Sequence, residues 1–398
     1  MMIINFFSTK RNVLVSSILL VILLVGLRVA IGGFNFSYFV VAGSDFADSE
    51  AAHPNLIINE GQGYDGQFFY RYAHYPLEFE KTAYGVTVDH IEYRIQRIVY
   101  PATVWLFSVG GKKEWIPFLL VLFNVLAFIG IIVFALKICE IYGSKLSLAL
   151  LPIFSFGAYM ALARDTSELF EVFFFTVAVF AMIKDKIGLY FIFVVLSIFS
   201  RETSLVVIGP LSLLYGIKLL KTEGKINSKL IFKGLVLIFP LLLIVLWKYY
   251  LHITINSKVL VDGSQNLSWP FVGILYGAKN NFNFNDYKSI FETLFWYLFF
   301  VWNIVFAISV IKAINFKQLF SFEVVSMLSI VYLFWTAFSL ILGPAIYIDD
   351  WGFVRIFTLW NMLGFLILMI NNKSINRIKL LYSISILFLL IVRLIIRV

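Results

Sequence analysis

The sequence predicts an all-α fold: a polytopic transmembrane bundle of about eleven helices, with a cytoplasmic N-terminus and a large first extracytoplasmic loop. Three observations carry that prediction. Of the 398 residues, 61% are hydrophobic and only 14% charged, with a mean hydropathy of +0.91, which is more apolar surface than a soluble domain of this length can bury. Apolar runs of about 17–25 residues, each long enough to cross a hydrocarbon core about 30 Å thick, recur along almost the whole chain. The period-2 alternation that would mark a β-barrel is absent.

Hydropathy places helices near 13–33, 115–138, 147–163, 169–183, 187–200, 204–220, 229–251, 291–313, 322–344, 353–371 and 377–396, all within one membrane domain spanning 1–398. Lys10 and Arg11 precede the first run, as in a signal sequence, but its length, the lack of a clear cleavage site and the many later spans favour an uncleaved helix. Lys137 and Lys145, Lys184 and Lys186, Lys218 to Lys233, Lys312 and Lys317, and Lys373 to Lys379 then all fall in cytoplasmic turns. Positive-inside topology thus accounts for the net charge of +9. The lysines form no basic face with interleaved aromatics, so no nucleic-acid partner is expected. The single cysteine, Cys139, excludes an internal disulfide and a cysteine metal cage.

Of 23 acidic residues, only Glu140, Asp185, Glu223 and Glu323 lie in those turns. Acidic residues do not set topology, so their segregation marks the outer side as the one that handles something polar. Two outer loops are long, 34–114 and 252–290, and their aromatic content predicts order rather than disorder. In the second, Leu267 to Ala278 reads either as an interfacial helix or lid, or as an aromatic belt anchor.

The first loop holds Gly61-Gln62-Gly63-Tyr64-Asp65-Gly66-Gln67-Phe68-Phe69-Tyr70. Asp65, bracketed by glycines and aromatics, is positioned for a general base or for orienting a hydroxyl, with Tyr64, Gln67 and Tyr70 as substrate-contact candidates. The alternative is an Asx-type turn backed by core aromatics. Farther on, Tyr93-Arg94-Ile95-Gln96-Arg97-Ile98-Val99-Tyr100-Pro101 sets Arg94 and Arg97 three apart, on one helix face, suited to a lipid-borne phosphate, or to headgroup snorkelling or pairing with local carboxylates such as Glu92. Arg164-Asp165-Thr166-Ser167-Glu168, followed by Glu171, suggests an acidic stripe facing the same cavity as Asp65. Arg201-Glu202-Thr203-Ser204 joins two short helices with no loop to keep its charges in water. Asp349 and Asp350 offer either a divalent-cation site or two solvated carboxylates, and Arg355 just beyond is a second phosphate-clamp candidate. His53, His74, His90 and His252 lack zinc-site spacing and read as surface residues. No Walker loop, dinucleotide fingerprint or nucleophile elbow is present.

Gly63 to Phe68, Tyr93 to Pro101 and Arg201 to Thr203, with many spans, resemble the GT-C superfamily of membrane glycosyltransferases. They are similar in particular to a bacterial group associated with cell-surface glycopolymer formation. The motifs cover about the first 210 residues; the remainder matches through topology and Arg355. The resemblance implies a GT-C-like fold in a bacterial plasma membrane. It further implies inverting transfer of a sugar from a polyprenyl-phosphate carrier to a glycan, lipid or protein acceptor outside the cell. Asp65 would be the base, and Arg94, Arg97, Arg201 or Arg355 would stabilise the leaving phosphate. Many relatives carry two adjacent acids in the first loop where Asp65 stands alone, which makes Asp165 and Glu168 the candidates for part of the second carboxylate's role. Two other classes compete: a lipid-linked-glycan polymerase or ligase, and a flippase or transporter, against which the lack of internal repeats weighs.

Overall fold

The computed structural model describes residues 7–224, 226–255, 266–348, 350–374 and 376–396. These residues are overwhelmingly helical, and helices long and apolar enough to cross a membrane make this a multi-pass helical membrane protein. Six meet that test alone: Lys10–Ile31, Ile116–Ile141, Glu202–Glu223, Ser228–Ile255, Tyr287–Ala313 and Trp351–Ile370. Of the other expected spans, that at 377–396 is the continuous 20-residue helix Arg377–Ile396, and the rest are shorter or broken. The run at 147–163 is a 3-10 helix, Leu146–Phe154, bent by 59° against the α-helix Phe156–Ala163, with Pro152 near the bend depriving the backbone of a donor. The runs at 169–183, 187–200 and 322–344 are helices of 16, 14 and 16 residues.

In chain order the α-helices are α1 (Lys10–Ile31), α2 (Gly66–His74), α3 (Ile91–Ile95), α4 (Val99–Phe107), α5 (Ile116–Ile141), α6 (Phe156–Ala163), α7 (Glu168–Ile183), α8 (Ile187–Ser200), α9 (Leu205–Glu223) and α10 (Ser228–Ile255). They continue with α11 (Val272–Asn280), α12 (Tyr287–Ala313), α13 (Val324–Ser339), α14 (Pro344–Ile348), α15 (Asp350–Ile356), α16 (Thr358–Ile370) and α17 (Arg377–Ile396). The long first loop is thus folded into α2–α4, with two two-stranded pairs, Ala42–Gly43 parallel to Ile58–Asn59 and Thr82–Ala83 antiparallel to Val86–Thr87.

The span expected at 353–371 lies at the centre of the molecule. Every residue of α16 is buried, among α7, α12, α13 and the 3-10 segment. A helix apolar on all sides is a core helix when other helices surround it. The chain ends meet as well, with Arg28 Nη1 of α1 donating to Leu394 O of α17 at 2.5 Å. The basic turns gather at one end of the bundle: Lys10 pairs with Glu140, Lys145 N donates to Asn372 Oδ1 and Asn371 Nδ2 to Ala313 O. The segment at 267–278, expected as an interfacial helix, lid or belt anchor, includes most of α11 and is docked, since Ser268 N and Phe271 N donate to Ile341 O and Leu340 O and α11 packs on α14.

Candidate functional site

At the opposite end, helix ends and breaks converge. Asp65 is the residue before α2, Glu168 opens α7, Arg201 and Glu202 fill the gap between α8 and α9, and Arg355 sits at the break between α15 and α16. Helix ends leave peptide groups without helical partners, so a polar cluster assembled there is less costly than one in mid-span.

Gly63 and Gly66, on either side of Asp65, let backbone segments approach closely. Gly63 has φ +63°, and a Cβ there would collide with Gly43 N and Val41 O. A Cβ on Gly66 would strike Arg164 O and Val40 O. The motif therefore wedges the start of α2 between the segment after α1 and the turn before α7. Gln67, expected at the substrate, spends its amide on this wedge: Oε1 accepts from Gly43 N at 3.1 Å and Nε2 donates to Gln62 O at 2.9 Å.

The Asp65 side chain makes no capping bond, so it does not close an Asx turn. Its Oδ1 accepts from Arg94 Nη1 at 2.8 Å and its Oδ2 from Arg355 Nη1 at 2.9 Å. Arg94 also grips Asp89, through Nε (2.9 Å) and Nη2 (2.6 Å). On Arg355, Nε lies 2.7 Å and Nη2 2.5 Å from Glu168 Oε1, which Arg201 Nη1 also reaches. Burial pushes the Asp65 carboxyl up, but the charges of Arg94, Arg355 and Arg97 outweigh it and hold the group well below the usual carboxylate range. Tyr64 lies under this network, with the guanidiniums of Arg164 and Arg355 4.5 and 5.0 Å from its ring centroid.

Arg94 and Arg97 do not share a helix face. α3 ends at Ile95, and Arg97 beyond it is locked to Glu202 by Nε (2.9 Å) and Nη2 (2.7 Å), with Tyr93 OH at 2.6 Å. Glu92 pairs with His252 (3.4 Å), not with Arg94. The acidic stripe divides too: Glu168 reaches Asp65 through Arg355, and Glu171 accepts from Thr203 Oγ1 at 3.3 Å. Asp165 has φ +46°, is fully buried with no hydrogen bond to either oxygen among the described residues, and has Arg28 as its cationic neighbour.

Tyr70 points into a separate cavity of about 370 Å³, lined also by His53, Lys113, Glu114 and Phe118. His74 is buried rather than on the surface, stacked on Tyr84 at 4.6 Å with Nδ1 3.0 Å from Tyr70 O. Asp349 and the side chain of Asp350 lie outside the described residues. Among the described residues no group of three or more His, Cys, Asp or Glu side chains is placed to hold a metal ion.

No family model, curated protein or solved structure matches this chain. Two contributors escaped the sequence reading. Asp89 had a weak signal, an acid five residues before Arg94. Trp351 had none: it stacks between Arg164 (4.1 Å) and Arg393 (3.9 Å), a contact made by residues far apart in the chain.

Proposed function

We propose that the chain is an inverting GT-C-type glycosyltransferase that moves a sugar from a polyprenyl-phosphate carrier to an acceptor hydroxyl at the outer face of a bacterial plasma membrane. The reading is carried by one observation: a carboxylate and two arginines, from parts of the chain up to 290 residues apart, meet on Asp65 at the bundle end opposite the basic turns. That combination suits the reaction. Asp65, kept ionised by its arginines, takes the proton as the acceptor oxygen attacks the anomeric carbon. The bond from that carbon to the phosphate oxygen breaks, its electron pair stays on the phosphate, and Arg94 and Arg355 stabilise the charge that develops. Attack opposite the leaving group inverts the anomeric centre. Arg201 acts one step back, fixing Glu168 and through it Arg355.

Mass spectrometry of the host's cell-surface glycans tests this. The host with the intact gene is compared with a deletion and with Asp65→Asn at normal membrane level. Loss of the same sugar in both supports transfer by Asp65. A glycan profile unchanged by Asp65→Asn removes Asp65 from the chemistry and moves the polymerase and transporter readings ahead.

A further inference from the structure

We propose that Asp65 is the built-in occupant of an anion site: its carboxylate fills the place between Arg94 and Arg355 that a phosphate group takes, and an anionic headgroup binds by displacing it. The inference rests on the glycosyltransferase reading for its place in a reaction, but not for its test.

The two arginines are partnered in the same way. Each gives its Nε and Nη2 edge to one fixed carboxylate, Asp89 for Arg94 and Glu168 for Arg355, and each offers only Nη1 to Asp65. Removing Asp65 therefore leaves both guanidiniums oriented by their other edge, with two donors converging on one vacated place. One donor reaches each carboxylate oxygen, the same bridging geometry in which two arginines hold two oxygens of a phosphate. The partners also differ in access. The side chain of Asp65 is 23% exposed, whereas those of Arg355 and Glu168 are 5% and 0%. Asp89 is as open at 25% but is gripped by two bonds from Arg94, so Asp65, held by one bond from each arginine, is the accessible member an incoming ligand can replace. The resting cluster is balanced, since Asp65, Asp89 and Glu168 match Arg94, Arg201 and Arg355. No guanidinium among these three stands ready for an anion unless Asp65 yields.

The exchange also balances the proposed reaction. The donor phosphodiester carries one negative charge and the product phosphomonoester two. The acceptor proton neutralises Asp65 as that second charge appears. The neutral carboxyl no longer competes for the two Nη1 groups, which stay on the phosphate, so uptake of the proton secures stabilisation of the leaving group.

Asn at position 65 mimics the protonated carboxyl and so releases the arginines. Binding of geranyl phosphate and of inorganic phosphate to the purified full chain in detergent is measured by calorimetry for wild type, Asp65→Asn and Asp65→Asn/Arg355→Gln. Asp65→Asn is expected to bind geranyl phosphate about 10–100-fold tighter than wild type, the worth of one or two charged hydrogen bonds no longer contested, and Arg355→Gln is expected to abolish the gain. Asp65→Ser serves equally if the Asn variant does not remain monodisperse. Affinity unchanged or weakened on removing the carboxylate overturns the inference, whatever the glycan experiment gives. A gain for inorganic phosphate alone supports the exchange at a free-phosphate site and overturns the lipid headgroup as its ligand. A gain for geranyl phosphate with an unaltered host glycan profile supports the exchange and rejects the transferase reading.

Discussion

Replacing Glu168 with Gln should expose how the polar end of the bundle is held together. Glu168 is fully buried, and one of its oxygens accepts from both Arg201 and Arg355, themselves almost fully buried. Gln keeps the shape but removes the charge, leaving two desolvated guanidiniums to share carboxylates that belong to other partners. Breaking a buried pair by removing one member costs about 3–5 kcal/mol, because the remaining charge is uncompensated. For a chain of this length that corresponds to a fall in Tm of roughly 4–6 °C. Thermal unfolding of the purified protein, followed by intrinsic fluorescence in detergent, gives the value. Glu168→Gln/Arg355→Gln removes the acid and one of its two cations, so its loss should be clearly smaller than the sum of the single losses. Additive losses, or a Glu168→Gln protein as stable as wild type, would refute the argument that this carboxylate joins the two arginines energetically.

Gly66→Ala should lower stability by at least about 1–3 kcal/mol and reduce whatever activity depends on Asp65, because its Cβ would press on Val40 O and Arg164 O and lift the start of α2; a Gly66→Ala protein with unchanged Tm and function would show that the wedge can relax. Burial pushes the His74 imidazole down to about 4. The unfolded chain, with an ordinary value near 6.5, takes up a proton before the folded protein does. The contribution of His74 is therefore fully present above about pH 6.5, falls as the pH drops toward 4 and then levels off, by about 3 kcal/mol in all. Tm measured from pH 7.5 to 4 should fall less steeply in His74→Phe, which keeps a ring against Tyr84; parallel curves would mean that other groups dominate.

The chain's own residues determined the solvent and the helices. Apolar length and lysine-rich turns are local properties, and they fixed a helical membrane protein whose last helix falls where hydropathy put it, at Arg377–Ile396. Asp65, Glu168, Arg201 and Arg355 were also legible one at a time, because a charge beside an apolar run is costly and stands out. What hydropathy cannot tell is which apolar run faces lipid and which faces protein. Only packing made α16 the core, whereas the bend in the run at 147–163 has a local contributor in Pro152. Pairing was equally beyond the sequence. Glu92 was the nearest acid to Arg94 in the chain, yet Asp89 holds it, and Arg97, its expected companion, is taken by Glu202, 105 residues away. Whether a carboxylate is a solvated turn residue, a structural partner or a reactive group depends on which guanidiniums reach it. That is a matter of a few ångströms between helices remote in sequence, and only the tertiary structure decides it.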